Sequence, residues 1–168
     1  MIEIFSGIFV GSERDYYTIQ HQANWAVLHC CKNPFHCAFV GYRGSLPQSH
    51  PDYAFKRKDN EMALNLVDMN QFSANYLDFN RKMFESAFVF LDEYRDKKYQ
   101  ILIHCNQGES RAPTLGMLYA ARLGAFGYTD FDTSVQRMQA IYPGYMPKQN
   151  IYMTVKSLWR DFVPNPET

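Results

Sequence analysis

An imbalance of charge is missing from this chain. Lys and Arg total 17 and Asp and Glu total 17 across 168 residues, so the formal net charge is zero. That balance does not recommend nucleic acid as a partner. The one local basic run, Lys56-Arg57-Lys58, reads as a solvated loop. Long apolar runs are also missing: none approaches the ~18 residues that span a bilayer, so no membrane partner is expected. Met1-Ile2-Glu3-Ile4 has neither the basic region nor the apolar stretch of a signal peptide. Cysteine is scarce, at 30, 31, 37 and 105, and the spacing outlines no disulfide framework. Reduced thiols and a cytoplasmic protein are the expectation. His29-Cys30-Cys31 with His36 and Cys37 matches no standard zinc spacing, so neither metal nor cofactor is expected. Repeats, low-complexity tracts and linkers are absent too, which leaves one domain over residues 1–168.

What is present is core-forming material, with 46% hydrophobic residues. Strands are plausible at 2–5, 8–10, 25–30, 62–67 and 100–104, and a short helix opened by Ser12 at 12–20. Residues 33–58 carry Pro34, Gly41, Gly44, Pro47 and Pro51 and read as a long irregular loop, often a functional wall or lid. Residues 75–96 read as a long helix with Leu77, Phe84, Ala87, Phe88, Leu91 and Tyr94 at helical spacing. Further helices fit 113–122, 130–141 and 148–161. The order implies an α/β domain with a short, mainly parallel central sheet flanked by helices.

The chemistry concentrates in one segment. An apolar strand, Gln100-Ile101-Leu102-Ile103, delivers His104 and Cys105 to its carboxyl end. Asn106, Gln107, Gly108, Glu109 and Ser110 lead to Arg111, and Pro113 opens an apolar helix. A loop wound onto a helix N-terminus gathers backbone N–H groups and the positive end of the dipole into an anion site. Gly108 lets the backbone curl. Arg111 adds a planar fork for two phosphate oxygens. The same field favours a thiolate at Cys105, aimed at the phosphorus of a bound monoester. Residues 106–111 would bind the phosphate. His36-Cys37 followed by Arg43 repeats the Cys-to-Arg spacing, but neither a strand before it nor a helix after it agrees. The mechanism needs a proton donor for the leaving oxygen. Asp68, at the end of the apolar run 62–67, is the candidate, with Asp78 as rival on a helix.

Segment 104–114 resembles the signature loop of dual-specificity protein phosphatases, His-Cys-x-x-Gly-x-Ser-Arg followed by a small residue, Pro and Thr. Leu64-Asn65-Leu66-Val67-Asp68 is similar to the strand that enters that family's general-acid loop. Ile141-Tyr142-Pro143 fits bacterial and phage-type members. The resemblance implies phosphomonoester hydrolysis through a phosphocysteine at Cys105, with phosphorylated protein or peptide as substrate. It implies that His104 hydrogen-bonds the loop backbone rather than moving protons, and that Ser110 is the serine beside the arginine. Ala112 departs from it: most relatives carry there a hydroxyl that helps the thiolate leave phosphorus. That departure keeps open a phosphate-binding pseudophosphatase. An RNA 5′-triphosphatase or a phosphoinositide phosphatase on the same loop also stays open. Glu109, an acid inside the loop, is expected to face solvent.

Overall fold

The computed structural model describes residues 1–165. Six strands form one mixed sheet: β1 (Ile2–Phe5), β2 (Ile8–Ser12), β3 (Trp25–His29), β4 (Phe55–Lys58), β5 (Glu61–Leu64) and β6 (Gln100–Cys105). Their spatial order is β1-β2-β6-β3-β5-β4. The inner pairs β2–β6, β6–β3 and β3–β5 are parallel, and the outer pairs β1–β2 and β5–β4 are antiparallel. Three parallel pairings out of five agree with the mainly parallel sheet expected.

Central β6 is buried on both sides, which is why its sequence is a continuous apolar run rather than an alternating one. Alternation still operates in space. Ile101, Ile103 and Cys105 join the main core, while Leu102 packs with Ile19, Trp25 and Val27 on the opposite face. Helix α1 (Glu13–Ile19) covers that second face. The main core gathers α3 (Leu77–Asp96), α4 (Arg111–Arg122), α5 (Phe131–Ile141) and α6 (Gln149–Phe162). Every residue of α4 from Arg111 to Ala121 is buried, so this helix is apolar all round rather than striped.

The irregular segment expected at 33–58 is corrected in part. A turn over Lys32–His36 runs into a short helix, α2 (Cys37–Val40), and the segment ends in edge strand β4. The basic run read as a solvated loop is that strand. Arg57 forks onto Glu93 at 2.7 and 2.9 Å, and Lys56 reaches Asp52 at 2.8 Å. Charge on an edge strand discourages pairing with another chain, and it also hides the strand from a reading by hydrophobicity. The strand expected at 62–67 stops at Leu64, and α4 begins at Arg111 rather than Pro113. No helix among the described residues is long and apolar enough to cross a membrane.

Candidate active site

β2, β3, β5 and β6 run parallel, so their carboxyl ends share one edge of the sheet, the usual place for a site in an α/β fold. Cys105 ends β6 there, opposite Ser12 of β2. From it the chain turns through residues 106–110 directly into α4. Gly108 makes the turn possible. Its φ is +75°, and an added Cβ would sit 2.9 Å from the Gly11 carbonyl and 3.0 Å from the Tyr142 hydroxyl. The loop is held from several sides. Tyr142 donates to the Gly108 carbonyl at 2.8 Å, the Met146 N–H to the Glu109 carbonyl at 2.8 Å, and the Glu13 N–H to the Asn106 carbonyl at 3.1 Å. Burial pushes the Tyr142 phenol up to about 12, so it keeps its proton.

Among the described residues, the backbone N–H groups of 106–111 donate to no protein acceptor. Arg111 is fixed beside them. Its guanidinium donates to the Leu66 carbonyl at 3.0 Å and to Asn106 Oδ1 at 2.7 Å. Its Nε is buried and has no hydrogen-bond partner. A buried donor left unmade is costly, by about 1–3 kcal/mol, and an anion in the loop would satisfy it. The cleft above has a volume of about 380 Å³, with Cys105, Arg111, Asp68 and Lys148 in its lining.

Asp68 and Cys105 therefore share one cleft. Asp68 Oδ1 accepts from the Ser110 hydroxyl at 2.9 Å, and Oδ2 lies 3.7 Å from Lys148 Nζ and 4.0 Å from Arg111 Nε. The rival Asp78 is on the exposed face of α3, bridged to Arg81 at 3.1 Å and Lys82 at 3.0 Å. Glu109, expected to face solvent, is instead half-buried and lines the cleft, because the Met146 clamp draws residues 145–148 over the loop. Cys37 is spent on a hydrogen bond to Asn33 Oδ1 at 3.0 Å. Burial pushes the Cys31 thiol up to about 12 and the Cys30 thiol well above its ordinary value.

Beneath the loop runs a chain of buried groups that the sequence did not reveal. The Cys105 carbonyl can only accept, so His104 Nδ1, 3.3 Å away, carries a proton. Burial, and then the neighbouring His29, pushes the His104 pKa down to about 3. The ring is neutral, and Nε2 accepts from His29 Nδ1 across 2.6 Å. His29 Nε2 lies 2.9 Å from Glu61 Oε2 at the other end of the ring. The Tyr16 hydroxyl also reaches Glu61 at 3.2 Å, and its ring stacks on His104. The signal in the sequence was the pair of histidines ending two apolar strands. Only the parallel register sets His29 opposite His104. Lys148, whose N–H donates to Ser110 Oγ at 2.9 Å, left no sequence signal.

Solved structures with the same arrangement of elements include proteins named as phosphatases. Human DUSP28 superposes with a TM-score of 0.64 at 12% identity, covering 95% of this chain and 93% of that one. The chain has the dual-specificity phosphatase fold. A leucine rich repeat and phosphatase domain containing protein from Entamoeba histolytica superposes with a TM-score of 0.63 at 15% identity, covering 95% of this chain and 90% of that one. In sequence, 63 residues are 35% identical to human dual specificity protein phosphatase 5, spanning 37% of this chain and only 16% of that protein. No protein-family profile matches the chain.

Proposed function

We propose that this protein is a metal-independent, cysteine-dependent phosphomonoesterase of the dual-specificity type, acting on phosphorylated protein or peptide. The observation that carries the reading is the unpartnered, buried Arg111 Nε beside Cys105, over a loop whose N–H groups are free. Phosphate would accept from Arg111 and from the N–H groups of Asn106, Gln107, Gly108, Glu109, Ser110 and Arg111. The Cys105 thiolate attacks phosphorus, the P–O bond breaks, and Asp68 gives its proton to the leaving oxygen. Water then attacks the thiophosphate, with the Asp68 carboxylate taking a proton. The S–P bond breaks to return the thiolate and inorganic phosphate. His104 stays neutral and orients the loop through the Cys105 carbonyl. Four free cysteines suit a reducing compartment such as the cytoplasm.

A second reading, a phosphate-binding module with poor turnover, draws on Ala112. The nearby hydroxyls are committed elsewhere: Thr114 donates to the Ser110 carbonyl at 2.7 Å, and Ser110 donates to Asp68. Hydrolysis of a small aryl phosphate in EDTA separates the two. Wild type should turn over, and Cys105→Ser and Arg111→Lys should each lose at least about 100-fold with the fold intact, since lysine lacks the two-pronged grip. Wild-type protein that binds phosphate without turnover would establish the module instead.

A further inference from the structure

A second cavity, of about 630 Å³, opens beside the catalytic cleft. The two share Lys32, Leu66 and Val67 in their linings, so they adjoin. Its outer wall is the segment around residues 45–54, part of the long connection between α2 and β4. Two of its lining residues stand out. Asn80 of α3 is 7% exposed and Asn150 of α6 is 6% exposed. Among the described residues, neither side-chain amide hydrogen-bonds to the protein. Among the described residues the fully buried side-chain polar atom without a partner is Arg111 Nε in the adjoining cleft, so the unpaired amide atoms of Asn80 and Asn150 are open to the cavity rather than sealed in the core.

Resting on the phosphatase reading, we infer that this cavity is the recognition site for the polypeptide flanking the phosphorylated residue, read through its main chain by Asn80 and Asn150. A side-chain amide offers both a donor and an acceptor. A peptide unit offers the complementary pair, whatever its side chain. Tyr53, Phe79, Leu46 and Met69 supply apolar walls for the side chains on either side of it. The lining holds no carboxylate, and its only cationic candidates are Lys32 at the junction and His50. A nucleic-acid strand would want a track of cations following its phosphates, which this lining lacks. A small aryl phosphate would occupy the first cleft alone, so the two cavities can be separated kinetically.

The experiment compares a phosphotyrosyl peptide with 4-nitrophenyl phosphate on wild type, Asn80→Leu and Asn150→Leu, with Tyr76→Ala at the exposed rim as a variant that does not disturb the core. The amide variants should lower kcat/KM for the peptide by roughly tenfold or more, mainly through KM, and leave the aryl phosphate within about twofold. Tyr76→Ala should shift the same way, more weakly. Calorimetric binding of the peptide to Cys105→Ser protein, with and without Asn80→Leu, reads the cavity without turnover. Failure of wild type to hydrolyse the aryl phosphate would defeat the phosphatase reading, and weaker binding in the calorimetric arm would still support the cavity. Equal losses on both substrates, or none on the peptide, would overturn the inference. So would a preference for a 5′-phosphorylated oligonucleotide that depends on Asn80 when the peptide's does not.

Discussion

Asp68 and Ala112 serve different halves of the proposed reaction, and single substitutions can tell them apart. Asp68 protonates the leaving oxygen, so its absence should matter in proportion to how badly that oxygen needs a proton. Asp68→Asn should slow a phosphotyrosyl peptide by about 100-fold or more, and an activated aryl phosphate far less. Initial rates across aryl phosphates of graded leaving-group acidity check this, and a flat response would remove Asp68 from the role. At position 112 the question is thiolate departure. Among the described residues no side chain donates a hydrogen bond to Cys105 Sγ, and the Thr114 hydroxyl is held by the Ser110 carbonyl at 2.7 Å. Breakdown of the phosphoenzyme should therefore limit turnover, and stopped-flow should show a burst of aryl alcohol. Ala112→Ser should raise the steady rate without changing the burst rate. Absence of a burst, with an unchanged steady rate in the variant, would mean that another group supplies the hydrogen bond to the departing thiolate.

Helix α4 carries the site as an element. Its N-terminus ends the loop, and its whole length is sunk in the core. Gly116 marks where it comes nearest the sheet: an added Cβ would stand 2.6 Å from Val10 Cγ2 and 3.2 Å from Ile4 Cδ1. On propensity alone, Gly116→Ala would stabilise a helix by about 1 kcal/mol. Here the contact wins, because Val10 is fully buried and cannot swing away. Net destabilisation of about 1–3 kcal/mol is expected, the usual range for an overfilled core. Urea unfolding of the variant measures it, and a raised midpoint would show that β2 yields easily. The helix also starts at Arg111, two residues earlier than its proline suggested. In its first turn Arg111 bonds Asn106 of the same loop and the Leu66 carbonyl, and the second contact, 45 residues away in sequence, is one that no local pattern contains.

For the whole molecule, buried histidines set the response to acid. Burial is the first cause lowering the pKa of His29, His36 and His104, the last to about 3 from an ordinary 6.5. Below pH 6.5 the unfolded chain binds protons that the folded one refuses. Stability is then fully present above that pH and falls as pH drops through 6.5 toward 3. For His104 alone the slope is at most about 1.4 kcal/mol per pH unit. Chemical denaturation at a series of pH values between 7 and 4 should show the decline, and His104→Asn should make it shallower. A stability that is level across that interval would contradict burial of neutral histidine. The same burial separates what could be read locally from what could not. Cys105, Gly108, Arg111 and Pro113 lie within nine residues, and strand, turn and helix start are encoded side by side, so the strand–loop–helix unit that carries the candidate site was legible from the chain alone. So was the α/β class, because β6 and the helices carry their periodicities openly. Tertiary structure decided the rest. Asp68 meets Ser110, His29 meets His104, and Asn80 and Asn150 line one cavity only because the strand order and parallel register join segments far apart in sequence. A pairing of that kind is fixed by the packing free energy of the whole sheet and its helices, which no short stretch of residues contains.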